Sequence, residues 1–217
     1  MEQNRKEQAL RVLAALEKNG MTGEWVETAA QARAAVEHRL TPGDVIGLGG
    51  SETLRQCGIL ELAYDPKYRV IDRYEAGLTP ETRTERLRES LAADVLLCSS
   101  NAVTETGLLY NVDGTSNRVA GIAFGPRRVI MVVGCQKIVP DLAAAVERVR
   151  TVAAPRNAQR LHCATYCAEK GKCMACGREM GAGCTSPQRI CRNFLVSGAQ
   201  PVPGRIHVIL VGEEVGY

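Results

Sequence analysis

Apolar positions along the chain alternate between two rhythms. In residues 3–18, Leu10, Leu13, Ala14 and Leu16 recur at helical spacing beside Ala9 and Val12, and Asn19-Gly20 closes the run. Residues 24–27 hold the one tryptophan and read as a short strand. Thr28 is placed to cap a helix over 29–40, and Pro42-Gly43 makes a turn. Residues 44–48, DVIGL, read as a buried strand, with Gly49-Gly50-Ser51 and a helix from Glu52 directly after it. The alternation then repeats. A strand is expected over 68–74, followed by a helix from Pro80 to about Ala92 with Thr79 as cap and proline in the first turn. Residues 94–98 and 128–133 are short apolar strands. Residues 107–111 and 118–122 read as two short strands around Asp113-Gly114. A helix starts at Asp141 and runs to about Val152, with Pro155 past its end, and RIHVILV at 205–211 is the last strand. Strands alternating with helices predict a three-layer α/β/α sandwich with a mainly parallel sheet. The expected organisation is one domain over 1–217, with a cysteine-rich segment, 162–192, inserted before the final strand.

Composition narrows the class. Of 217 residues, 45% are hydrophobic and 24% charged, which suits a globular chain with a sizeable core. No apolar run approaches the roughly 20 residues of a membrane helix, and the charged N-terminus lacks a signal-peptide core. A cytoplasmic protein is expected. The net charge of +3 is unevenly spread: residues 148–192 hold nine Lys/Arg against Glu169 and Glu179, so that stretch is +7 and the remainder −4. A local positive field suits an anion. Aromatic residues, at 4%, are too few for base-stacking platforms, so nucleic acid is not the expected partner.

Three polar clusters follow predicted strands. Gly47-Leu48-Gly49-Gly50-Ser51 lets backbone approach a ligand, but it lacks the third glycine of a dinucleotide fingerprint and the Gly-Lys-Ser/Thr of a Walker loop. It reads equally as a tight strand-to-helix turn with Ser51 as a cap. The second cluster is Thr104, Glu105 and Thr106, then Asn111, Asp113, Asn117 and Arg118. Glu105 is a candidate nucleophile or general base, and Arg118 a candidate to hold a carboxylate or phosphate by two hydrogen bonds. Asn, Thr and Asp also simply build turns. Third, Lys137, one of six lysines against 21 arginines, follows the most apolar strand and is expected to face the same crevice. The shared crevice is expected to hold Gly49, Gly50, Ser51, Glu105, Asn117 and Arg118, because ligands gather at the carboxyl ends of strands in open α/β sheets.

Cysteine usage adds a separate chemistry. Six of nine cysteines fall between Cys163 and Cys191, spaced C-x3-C-x5-C-x2-C-x7-C-x6-C. Close-set thiolates suit a soft or borderline metal. The spacing is neither a zinc ribbon nor the bacterial ferredoxin run. His162 adjoins Cys163, whereas His207 alternates with apolar residues in a strand and reads as structural.

The chain resembles lactate-utilisation (LUD) domain proteins. The matching stretches are GLGGSETL at 47–54, NAVTETGLLYNVDGTSNRVA at 101–120, FGPRRVIMVVGCQKIVPDLAAAVERVR at 124–150, AAPRNAQRL at 153–161, SPQRIC at 186–191 and RIHVILVGEEVGY at 205–217. The resemblance implies a fold of the ribose-phosphate isomerase and CoA-transferase superfamily. It also implies an accessory role beside iron–sulphur proteins that oxidise L-lactate. Relatives carry a motif resembling C-x5-C-x2-C-x6-C. Cys167, Cys173 and Cys176 match its first three positions and Cys191 its last, with Gly177 to Cys184 resembling an insertion that duplicates the third. Either Cys176 or Cys184 then completes the set, and Cys163 is additional.

These readings give one leading expectation and two alternatives. The first is a metal-binding protein of lactate or related 2-hydroxy-acid utilisation, carrying an iron–sulphur cluster or zinc on Cys167, Cys173, Cys191 and one of Cys176 or Cys184. Its partners would be a small anionic ligand, iron–sulphur lactate-oxidation subunits and a second copy of itself. The alternatives are a CoA-transferase-like or sugar-phosphate isomerase-like enzyme using Glu105, and a zinc-stabilised ligand sensor without turnover.

Overall fold

The computed structural model describes residues 2–217. Helix α1 (Glu2–Lys18) leads into strand β1 (Thr22–Val26), helix α2 (Ala29–Arg39), strand β2 (Val45–Leu48), the short helices α3 (Glu52–Gln56) and α4 (Ile59–Ala63), and strand β3 (Arg69–Ile71). Helix α5 (Pro80–Glu89) ends in a 3-10 turn, Ser90–Ala92, before strand β4 (Val95–Cys98). Strands β5 (Ala102–Thr104) and β6 (Leu109–Asp113) form a hairpin, followed by helix α6 (Asn117–Ala123), strand β7 (Arg128–Gly134) and strand β8 (Ile138–Val139). Helix α7 (Leu142–Arg148) passes through a π-helical turn, Val149–Ala153, into α8 (Ala154–Arg160). Helix α9 (Tyr166–Lys170) and strands β9 (Asn193–Ser197) and β10 (Ile206–Val211) complete the chain.

Six strands form one sheet in the order β1-β10-β7-β4-β2-β3, every pairing parallel. Its central strands β2, β4, β7 and β10 are largely apolar on both faces, which is why they read as continuous runs. Ile46, Leu97, Ile130 and Ile209 meet Val36, Leu54 and Leu62 from α2, α3 and α4. Leu96, Met131 and Val208 face the other way, toward Val12 and Leu16 of α1 and Ile122 of α6. A second sheet, β8-β5-β6-β9, packs Ala102, Tyr110 and Val112 against Ala145 and Val149 of the α7 region.

Several expectations change. Residues 118–122 are helical, not a strand: Asp113 Oδ2, six residues upstream, accepts from Val119 N at 2.9 Å and satisfies a first-turn N–H, which favours the helix over the preference of the β-branched residues. The helix expected to stop near Val152 continues to Arg160. Pro155 sits at the start of α8 directly after the π turn, where its missing N–H leaves nothing unpaired. The cysteine-rich residues 162–192 do not run directly to the final strand. They contain α9 and lead into β9, which pairs antiparallel with β6 before β10 begins.

Candidate functional site

Strand order reverses between β2 and β4. From β2 the chain steps to β3 on one side, and from β4 it proceeds through β7 and β10 on the other. Loops after β2 and β4 therefore diverge, and a crevice opens at the carboxyl ends of these strands. It has a volume of about 240 Å³. Gly50, Ser51 and Thr53 follow β2, Arg73 and Tyr74 follow β3, Ser99 to Asn101 follow β4, and Lys137 follows β7. Asp113, Asn117 and Arg118 enter from the β6–α6 junction, Asn157 and Arg160 from α8, and Tyr217 from the last residues.

Arg118 is the structural centre of one wall. Its Nε donates to Asp113 Oδ1 at 2.9 Å, Nη1 to Ser99 O at 2.7 Å and Asn111 Oδ1 at 2.6 Å, and Nη2 to Asn101 Oδ1 at 2.8 Å and Val112 O at 3.0 Å. All five N–H donors of the guanidinium are thereby committed to the protein. Arg118 organises the crevice instead of presenting a free fork to an anion. Gly49 is required beside it: a Cβ there would stand 2.8 Å from Cys98 Cβ and 3.1 Å from Arg118 Cδ.

Lys137 has the opposite character. Its side chain is 3% exposed, and Nζ donates to Thr53 Oγ1 at 2.8 Å and Ser99 Oγ at 3.1 Å. Burial, with the positive charges of Arg148 and Arg118 nearby, lowers its pKa from 10.5 to about 7, opposed only by the Cys57 thiol. Arg148 is itself buried, donating to Asn101 O at 2.6 Å, and burial brings it down to about 10. The carboxylates of the crevice are already matched, Asp113 by Arg118 and Glu52 by Arg55. Arg73 donates to the Tyr74 hydroxyl at 2.6 Å, and Arg160 to Asn157 Oδ1 and the Tyr217 hydroxyl. The lining thus has an excess of positive charge.

Gly50, Ser51, Asp113, Asn117, Arg118 and Lys137 come together in the crevice. Ser51 is also a helix cap, its Oγ accepting from Leu54 N at 3.2 Å. Gly47 lies within β2, where a Cβ would meet Ser90 at 3.2 Å. Asn111 is fully buried behind Arg118, with its Nδ2 unpartnered. Thr104 and Glu105 are not part of the crevice. The β5–β6 hairpin carries its tip away from the sheet ends. Thr104 is buried against Thr106 and Leu108, and the Glu105 carboxylate accepts from Gln8 Nε2 of α1 at 2.8 Å. Gly107 seals this placement at φ +78°, with the α1 backbone 2.7 Å from where its Cβ would stand. The expected crevice shared by Ser51 and Glu105 does not form. Thr53, Arg73, Ser99, Asn157, Arg160 and Tyr217 were missed by sequence reasoning. The available signals were the position of Arg73 and Ser99 just past strand ends and the i, i+3 spacing of Asn157 and Arg160.

Four of the six cysteines between 163 and 191 gather beside α7 and the π turn. Cys167, Cys173, Cys184 and Cys191 line one small apolar cavity with Val149, Met174, Met180 and Phe194. Cys173 Sγ accepts from Ala175 N, and Cys191 Sγ from Arg189 Nε, both at 3.4 Å. Cys176 points elsewhere, its thiol donating to Cys173 O at 3.1 Å, and Cys163 is not among the lining residues. Burial raises the pKa of Cys167, and Cys191, Cys173 and Cys184 reinforce the rise. The donors suit a soft metal in kind. Among the described residues, however, no group of three or more His, Cys, Asp or Glu is arranged to hold a metal ion.

No helix among the described residues is long and apolar enough to cross a membrane. Comparison with curated proteins gives no match. Among solved structures, a DUF162 family protein from Deinococcus radiodurans, determined at 1.70 Å resolution, is similar with 18% sequence identity and a TM-score of 0.49 over 95% of this chain and 98% of that one. The sequence profile of the LUD domain matches residues 10–211, which include every strand and all of the crevice except Tyr217. On that match, the chain belongs to the LUD domain family.

Proposed function

We propose that the crevice binds a small organic anion, a carboxylate or a phosphate, in a role related to the utilisation of lactate or similar 2-hydroxy acids. Family membership supports the lactate-related role. The observation that carries the binding site is its charge pattern. Arg73, Arg160 and Lys137 line a crevice of about 240 Å³ whose two carboxylates are already matched by Arg118 and Arg55. A guanidinium is well suited to a planar carboxylate or a phosphate. Calorimetric titration with lactate, pyruvate and inorganic phosphate tests this reading. At least one should bind, and Arg160→Ala should weaken it by about ten-fold, the equivalent of about 1.4 kcal/mol. Equal affinity in the variant, or no binding by any of the three, defeats the proposal. Glu105, the nucleophile of the CoA-transferase-like alternative, is not among the crevice residues, its carboxylate accepting from Gln8 Nε2 of α1.

A second reading is favoured by the four thiols that share one cavity. In this reading Cys167, Cys173, Cys184 and Cys191 bind one soft metal centre, zinc or an iron–sulphur cluster, with Cys184 in place of Cys176. A bound cluster would supply electron transfer, and zinc would staple the segment. Backbone and guanidinium N–H groups already face two of these sulphurs, Ala175 N toward Cys173 Sγ and Arg189 Nε toward Cys191 Sγ. The segment must draw its thiols inward to complete the set. Elemental analysis of protein purified without oxygen tests this. Stoichiometric zinc or iron, lost in Cys184→Ser and retained in Cys176→Ser, is expected. Metal-free protein with freely titrating thiols removes the reading.

A further inference from the structure

Lysine side chains are almost never fully buried without a partner of opposite charge. Lys137 is such a case: the residue is 3% exposed, its hydrogen bonds go to two hydroxyls, and it forms no ion pair among the described residues. The charged and titratable groups bearing on it are Arg148 and Arg118, which oppose a proton on the amine, and the Cys57 thiol. Backbone closes over it as well, since a Cβ at Gly216 would stand 2.9 Å from Nζ. A desolvated amine beside fixed cations is the setting in which lysine becomes a nucleophile toward carbonyl carbon. Arg73 and Arg160 line the same crevice and can hold an anionic group.

We propose that Lys137 forms an imine with a small carbonyl compound that carries a carboxylate or phosphate group. This rests on the reading of the crevice as an anion site and adds a covalent chemistry to it. The amine nitrogen attacks the carbonyl carbon and a C–N bond forms. Both amine hydrogens finally accompany the carbonyl oxygen, which leaves as water, and a C=N bond remains. No oxidant or reductant is needed. The hydroxyls of Thr53 and Ser99, at 2.8 and 3.1 Å from Nζ, are placed to relay those protons to the departing oxygen. The depressed pKa of about 7 leaves a large share of the amine unprotonated near neutrality, whereas an ordinary lysine holds its proton to a pKa of about 10.4.

The test is reductive trapping. The full chain is incubated separately with pyruvate, with dihydroxyacetone phosphate and with acetone, each with cyanoborohydride, and labelled sites are mapped by peptide mass. The expected result is a single adduct on Lys137 in the pyruvate or the phosphate arm, exceeding label on exposed Lys67 and Lys170 by about ten-fold or more at neutral pH. Which arm labels decides between carboxylate and phosphate. Label should reach its plateau just above pH 7, and Lys137→Met should take none. Mapping on the wild-type chain keeps the test valid even if that variant folds poorly. Equal labelling by acetone removes the anionic requirement, and label spread over surface lysines, or no label, overturns the imine. If calorimetry still detects an anion while no label appears, the crevice reading survives and this one fails. If neither is seen, both fail.

Discussion

An amine held in a crevice without a carboxylate costs folding free energy, and the cost is readable in pH. The folded pKa of Lys137 is about 7 against 10.5 for the free side chain. Between those values the unfolded chain binds a proton that the folded chain does not, so stability rises with pH across that window. Below pH 7 both states hold the proton, and the penalty is present in full. Lys137→Met should therefore melt at a higher temperature than wild type at pH 6, with the gap narrower at pH 9 and closing only as pH passes 10.5. A gap that stays constant across that range would show that the amine is not desolvated as described. Arg118 illustrates how far residue chemistry was legible. Its identity pointed to anion binding, but its five donors are consumed by Ser99, Asn101, Asn111, Val112 and Asp113. A list of polar residues near a strand end does not reveal which of them will satisfy one another.

Elements with strong local signals were legible, and elements defined by long-range partners were not. The buried strands β2, β4, β7 and β10 announced themselves as apolar runs. The caps Thr28, Thr79 and Asp141 accept from backbone N–H groups of the helices they precede. Strand β9 was missed because its role depends on β6, more than 80 residues earlier. The π turn between α7 and α8 has no sequence signature either, yet it positions a structural key. Arg150, 5% exposed, donates to Arg178 O at 2.6 Å and to the carbonyls of Glu179 and Ala182, and its own carbonyl accepts from Cys173 N. One side chain therefore anchors the loop that carries Cys173, Cys176 and Cys184. Arg150→Met strands those carbonyls at a cost of about 1–3 kcal/mol and should loosen the loop. Limited proteolysis should cut within 172–185 markedly faster in the variant, at sites unchanged elsewhere. An unaltered cleavage rate would show that the loop is held by other contacts.

At the scale of the molecule, the parallel sheet was legible from alternation alone, and the switch point between β2 and β4 then follows from strand order. Short β8, β5, β6 and β9 were not legible as a second sheet, and that sheet decides which half of the 101–118 segment reaches the crevice. The edge pairing carries a further consequence, for synthesis. Strand β1 has its sheet neighbour in β10, with Thr22 opposite His207 and Val26 opposite Val211. The apolar face of α1, through Val12 and Leu16, packs where β10 contributes Ile206, Val208 and Leu210. During translation, residues 2–26 leave the ribosome about 180 residues before the strand that shelters them, a delay of about 9–36 s at typical elongation rates. Throughout that interval an amphipathic helix and an open strand wait without their partner. This edge of the sheet is completed only once β10 has emerged.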